Sequence, residues 1–202
     1  MLNRLGLFSL ITLSAACSDV NNHNGGDNEG EVITTVALSF TPQGGGDALE
    51  FTWSDPENDG SPVIDDIVLS DANDYDVTVS FLNELVSPAE DITVEVADES
   101  DQHQVFLTGD GVEGPATGDN AGAVVTHAYA DEDANGLPVG LANAFTTAAV
   151  GSGSLIVTLR HLPLENGSAV KVAGLAEEVA SGGFSSIGGE IDAQVTFPIE
   201  VQ

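Results

Sequence analysis

Positive charge is nearly missing from this chain. Three basic residues stand against 33 acidic ones, for a formal net charge of −30. Such a field repels phosphate backbones and anionic lipid headgroups, so nucleic acid and acidic membrane surfaces are excluded as electrostatic partners, and cations are favoured. An acidic surface also keeps a protein hydrated in salty surroundings, which accounts for the overall charge without giving any single acid a role. Cysteine is scarce as well: Cys17 has no second cysteine to pair with, so no internal disulfide forms and burial must hold the fold together. One Trp and two Tyr make a thin set for a sugar-stacking platform. Catalytic signatures are missing too. No serine sits in a nucleophile-elbow context, and no glycine loop introduces a helix that would cradle phosphate. Carboxylates are so abundant that none stands out as a catalytic pair. The residues therefore point away from an enzyme.

The N-terminus carries an address. In "MLNRLGLFSLITLSAAC", Arg4 precedes an apolar run from Leu5 to Leu13, and Ser14, Ala15 and Ala16 lead into Cys17. The run is too short to span a bilayer but fits a secretory signal. A lone cysteine directly after small residues resembles the lipobox of bacterial lipoproteins, with Leu13 one place further from the cysteine than the usual pattern. That resemblance implies a signal peptide over 1–16 and lipidation of Cys17. Residues 17–31 are rich in Asn, Gly and acids and contain His23; they read as a flexible tether of about 20 Å typical span. Residues 32–202 are long enough for one domain with a real core.

Within that domain the apolar period is two. Val36, Leu38 and Phe40 share a face, as do Leu49, Phe51 and Trp53, and "PQGGGD" between them predicts a hairpin. Tyr75, Val77, Val79 and Phe81 align next. Later runs are "QVFLT", "VVTHAYA", "NAFTTAAV", "SLIVTLRHL" and "IDAQVTFPIEV", the last with Ile191, Ala193, Val195, Phe197, Ile199 and Val201 on one side. Many short alternating strands with glycine-bearing turns predict a mainly β fold, an antiparallel β-sandwich of immunoglobulin-like or jelly-roll-like kind. One short helix is expected in "SPAEDITVEVADESDQH", from the Ser87 and Glu90 capping box, Pro88 at the first turn, and Ile92 and Val96 four apart. "AGLAEEVAS" offers a weaker helical turn, stopped by Gly182 and Gly183.

Several strings taken together, "VSFLNE", "PAEDIT", "DQHQVF", "HAYADEDANGLPVGL", "GSGSLIVTLRHLP" and "DAQVTFPIEV", resemble a group of small acidic bacterial lipoproteins often labelled type 1 periplasmic binding fold. That label implies an alternating α/β fold of larger size. The chain lacks the long helices and parallel-strand runs such a fold needs, so the β reading stands.

Two sets of candidate cation ligands follow. "DPENDG" and "DEDANG" both read as alternating oxygen ligands closed by glycine: Asp55, Glu57 and Asp59 in the first, Asp131, Asp133 and Asn135 in the second. Calcium takes six to eight oxygens on such tight loops. Neither loop is an EF-hand, since the twelfth positions are Asp66 and Ala142 and helices do not flank them. The same residues equally suit an Asx-rich turn. His103, His127 and His161 are the second set, ligands for a transition metal if they meet in space, or core-edge and surface histidines if they do not. His161 shares the parity of Leu155, Val157 and Leu159, which turns Arg160 outward. The whole reads as a lipid-anchored lipoprotein of the bacterial envelope, on the periplasmic or surface face of the outer membrane. It acts as a binding or structural module, with calcium in the loops or a transition metal at the histidines. The alternative is an accessory protein that docks on an outer-membrane receptor or envelope polymer without metal. Replacing Cys17 with Ser is expected to leave the exported protein soluble; a variant that still fractionates with membranes as wild type does would remove the anchor.

Overall fold

The computed structural model describes residues 31–202, so the signal and tether residues, Cys17 among them, lie outside the described residues. The domain is mainly β, built as two sheets. The strands are β1 (Thr35–Pro42), β2 (Leu49–Ser54), β3 (Val63–Ile64), β4 (Ile67–Leu69), β5 (Asp74–Asn83), β6 (Glu90–Asp91), β7 (His103–Thr108), β8 (Val112–Glu113), β9 (Val125–Tyr129), β10 (Ala142–Thr147), β11 (Gly151–His161) and β12 (Glu190–Val201). Two helices, α1 (Ile92–Asp98) and α2 (Leu175–Gly182), complete it, with a 3-10 turn over Phe184–Ser186. The larger sheet runs β3-β2-β1-β5-β10-β9-β8, with β6 beside β5, and the smaller runs β4-β12-β11-β7.

The alternating runs do what their period predicts. Val36, Leu38 and Phe40 are buried and so are Tyr75, Val77, Val79 and Phe81, and the "PQGGGD" turn closes the β1–β2 hairpin. From the smaller sheet Leu155, Val157, Val195, Phe197 and Ile199 join the same core. Its centre is Phe40, edge-to-face with Phe51, Tyr75 and Phe145 at centroid distances of 5.5–5.9 Å. The smaller sheet is also covered on its other face, where α2 and the 3-10 turn lay Leu175, Val179 and Phe184 over Phe106 and Leu162.

Three expectations are corrected. The pairing is mixed, because β4 joins β12 and β8 joins β9 in parallel. Both are two- or three-residue pairings, too short for periodicity to reveal. The weaker helical turn expected in "AGLAEEVAS" is a full helix, α2, so there are two helices, not one. And α1 starts four residues beyond the Ser87 box: Asp91, not Ser87, caps it, its carboxylate accepting from Thr93 N–H at 3.1 Å. Glu90 and Asp91 are first drawn into a ladder with Leu82 and Asn83, which postpones the helix. Ile92 and Val96 do point into the core, as their spacing requires.

Phe40→Ala would remove the ring on which three others pack. It is expected to lower unfolding free energy by about 3–5 kcal/mol, read from urea denaturation midpoints at constant slope. A loss under about 1 kcal/mol would mean that the core is not centred there.

Candidate metal centre

The two acidic loops use their carboxylates on themselves. In the β2–β3 connection Asp55 is buried and accepts from Asp59 N–H at 3.1 Å and Gly60 N–H at 2.8 Å, while Asp59 accepts from Ser61 N–H. In the β9–β10 connection Asp131 accepts from Gly140 and Ala142 N–H at 2.7 and 2.8 Å, and Asp133 from Asn135 and Leu137 N–H at 2.8 and 3.0 Å. Gly60 and Gly136 supply the positive φ that lets each loop fold back on its aspartates, at 81° and 75°. Glu57 and Asn135 are exposed. The loops leave the same end of the larger sheet, but β1 and β5 lie between the strands that carry them.

The second loop already has a cation. Lys171 is buried, with its Nζ 2.9 Å from Asp133 Oδ2 and donating to Ser100 O at 2.7 Å. Burial alone would raise the Asp133 carboxyl. The N–H groups of Leu137 and Asn135 and the ammonium outweigh it and hold the carboxyl below its usual range. Burial pushes Lys171 down, against the pull of Asp133.

The histidines divide. His127 stays apart from the other two: its Nε2 donates to Asn143 Oδ1 at 2.9 Å, Asn143 being oriented by its own bond to Gly140 O. The ring packs on Phe145 and Tyr129 as a core-edge residue. His103 and His161, by contrast, are directly opposite each other on β7 and β11. Their rings stack at 4.7 Å with 9° between planes. Ligand atoms of Glu99, His103 and His161 all lie within 4.8 Å of one another, the one such grouping of three among the described residues. Glu99 reaches it because α1 ends there, its N–H bonded to Glu95 O.

Two more carboxylates lie nearby, Asp192 against His103 and Glu31 within electrostatic reach of Asp192 and Glu99. Sequence parity placed neither there. Leu159 pairs with Ala193 but Arg160 with Ile191, so Asp192 is the extra residue of a β-bulge. A bulge reverses the alternation beyond it. Ile191 is turned out to 46% exposure, and the Asp192 side chain is turned in to 0%, 3.9 Å from His103 Nε2. Arg160 is not outward in the solvent sense either. It lies on the sheet's other face, buried under the α2 segment, donating to the carbonyls of Gly188 and Gly189 at 2.5 and 2.7 Å with Phe184 beneath it. Glu31 completes the rim. Burial first, then repulsion from Glu95, Asp192, Glu99 and Glu90, raises its carboxyl to about 7.

The hydrogens can be assigned. His103 Nδ1 is 3.2 Å from the Glu99 carbonyl, which can only accept, so Nδ1 carries the hydrogen and Nε2 the lone pair. Burial, offset in part by that bond, brings His103 down to about 4, which keeps the ring neutral at neutral pH. Its buried Nε2 and both oxygens of Asp192 have no hydrogen-bond partner. Burial also raises the Asp192 carboxyl, against the pull of His161 and of the Glu31 backbone N–H. A neutral imidazole whose other nitrogen is tied to a carbonyl is the arrangement of a metal-ligating histidine.

No family model matches the chain, and no curated protein or solved structure matches it either.

The Lys171–Asp133 pair yields a signed pH dependence. A carboxyl held low in the fold contributes stability above its ordinary value of 3.8, lost as pH falls through the lower folded value. Asp133→Asn should strand the buried ammonium and cost about 3–5 kcal/mol at pH 7. It should also flatten the acid limb of a stability–pH curve. An unchanged acid limb would remove Asp133 from the account.

Proposed function

We propose that this chain is an exported, lipid-anchored envelope protein whose domain binds a divalent transition cation at His103, His161 and Glu99. The observation that carries the reading is the stacked imidazole pair with a carboxylate in reach, one ring already held as a neutral ligand by the Glu99 carbonyl. The strongly negative surface supports it by raising local cation concentration. Sheet architecture supports it too. We read the two sheets as a sandwich of jelly-roll or immunoglobulin-like kind, with the centre at one end of its core. Imidazole nitrogens favour zinc, copper or nickel over calcium, which takes oxygens. Calcium in the two acidic loops has less support, since their aspartates are bonded to backbone and Lys171. The role is binding, as cargo or as structural ion, with no catalytic group assigned.

A ligand that binds only the folded state stabilises it by about 2.7 kcal/mol at a hundredfold excess over its dissociation constant. For a domain of this size that is a rise in melting temperature of about 5–10 °C. Zinc is expected to give that shift in wild type and little in a His103→Ala, His161→Ala double variant. Equal shifts in both proteins, or none in wild type, reject the metal reading; indifference to metal is what a docking module would show.

A further inference from the structure

Asp192 is the most anomalous side chain in the domain. Its side chain is fully enclosed, and neither oxygen makes a hydrogen bond of ordinary geometry. The backbone N–H of Glu31 is the one amide near enough to lower its carboxyl. The nearest ring nitrogen, His103 Nε2, presents a lone pair to it at 3.9 Å. Two acceptors facing each other in a buried place repel unless something positive lies between them. The separation is too long for a shared hydrogen bond. It is close to what one ion needs: two ligands at about 2.0–2.1 Å from a tetrahedral metal are about 3.3 Å apart. Closing the difference asks for a movement of a few tenths of an ångström on each side. The charges available in the fold do not fill the role. Lys171 is engaged by Asp133 and Ser100, and Arg160 by the carbonyls on the other face of the sheet.

We propose that Asp192, turned inward by the β-bulge in β12, is a protein ligand of the metal ion, with His103 Nε2, His161 and Glu99 as its companions. This rests on the reading of the His103–His161 pair as a metal site. It adds a residue to that site and narrows what the site accepts. Two imidazoles and two carboxylates make a mixed nitrogen and oxygen set of four, which suits a divalent borderline ion of the zinc class. A soft monovalent ion wants thiolate or thioether, and no cysteine or methionine occurs among the described residues. The two carboxylates cancel the charge of a dication, so loading the site relieves a local excess of negative charge. The bulge is then the device that builds the site: without the extra residue, strand alternation would turn Asp192 to the opposite face.

The probe is zinc, with the purified exported chain and its Asp192→Asn variant. Asn keeps the size, removes the charge and brings an amide N–H that can donate to His103 Nε2. The metal-free variant is therefore expected to melt a few degrees higher than metal-free wild type. Its zinc affinity by calorimetry should be weaker by at least about tenfold. Cobalt used as a spectroscopic substitute should show changed visible bands. A histidine–aspartate pair that is only structural predicts the opposite on stability: the variant melts lower, and zinc affinity does not change. Unchanged affinity in a folded variant overturns the role of Asp192 while leaving the histidine site standing. Failure of wild type to bind zinc at all takes down both readings. Hydrogen exchange on wild type keeps the test open if the variant does not fold. Zinc should slow exchange at Ile191–Ala193 as well as at Glu99–His103, and protection confined to the latter overturns the proposal.

Discussion

The scarcity of cations decides how this domain is put together. Of the three basic residues in the chain, the two that lie in the described domain, Arg160 and Lys171, are 6% and 3% exposed. An acidic protein that spends both of its positive side chains inward has not placed them for solubility. Each gathers segments that no strand ladder connects. Lys171 ties the β9–β10 loop to the start of β7 through Asp133 and Ser100. Arg160 collects the carbonyls that precede β12, over the ring of Phe184. Both interactions brace the neighbourhood of the histidine pair, because His103 and Glu99 flank Ser100 and Asp192 follows Gly189. Charged hydrogen bonds of this kind are among the stronger single contacts in a fold.

With cations so few, the acids must be satisfied otherwise, and three solutions are visible. Most carboxylates are simply solvated. Several turn back on backbone N–H groups, as Asp55, Asp131 and Asp133 do in their loops and Asp91 does at a helix start. The pattern that looks like a calcium loop is here that of a loop whose aspartates accept from its own amides, and in one case from an ammonium. Sequence could not separate the two, because Asp, Asn and Gly at alternate positions serve both. The third case is Asp192, enclosed beside His103, where no ammonium is offered and the Glu31 backbone N–H is the one amide nearby.

Legibility followed the same line between local and non-local causes. The strands around Phe40 and Phe81 were readable because a period of two is enforced by one buried face over many residues. The short helix was readable from Ile92 and Val96, but its start was not, since the pull of β5 on Glu90 and Asp91 is a tertiary effect. The two histidines of the site could be named from their residue type. That His103 and His161 are partners, and that His127 is not, depends on the β7–β11 register, which no local pattern encodes. Asp192 was out of reach altogether. The alternation from Val201 back to Ala193 is so regular that extending it two residues puts Ile191 inside and Asp192 outside, the reverse of what the bulge does. One signal was present: an acid in an apolar strand directly after two glycines, where β-bulges and re-aimed side chains are common.

The bulge also explains why the site sits at the end of the core and not within it. Burying an ionised carboxylate at mid-sheet would set it among Phe40, Phe81 and Phe197, where no rim carboxylate or loop could approach. At the sheet end the same inversion places it against two imidazoles, with Glu99 from α1 and Glu31 from the entry to β1 within electrostatic reach. The five groups come from four stretches of sequence, Glu99 and His103 being four residues apart, and the β7–β11 and β11–β12 pairings of the smaller sheet bring three of them together. Local rules of strand alternation and polar satisfaction are broken at this one place and kept around it. A fold tolerates such a breach where something offsets it; in the metal reading proposed above, that something is a divalent cation between Asp192 and the neutral His103 ring.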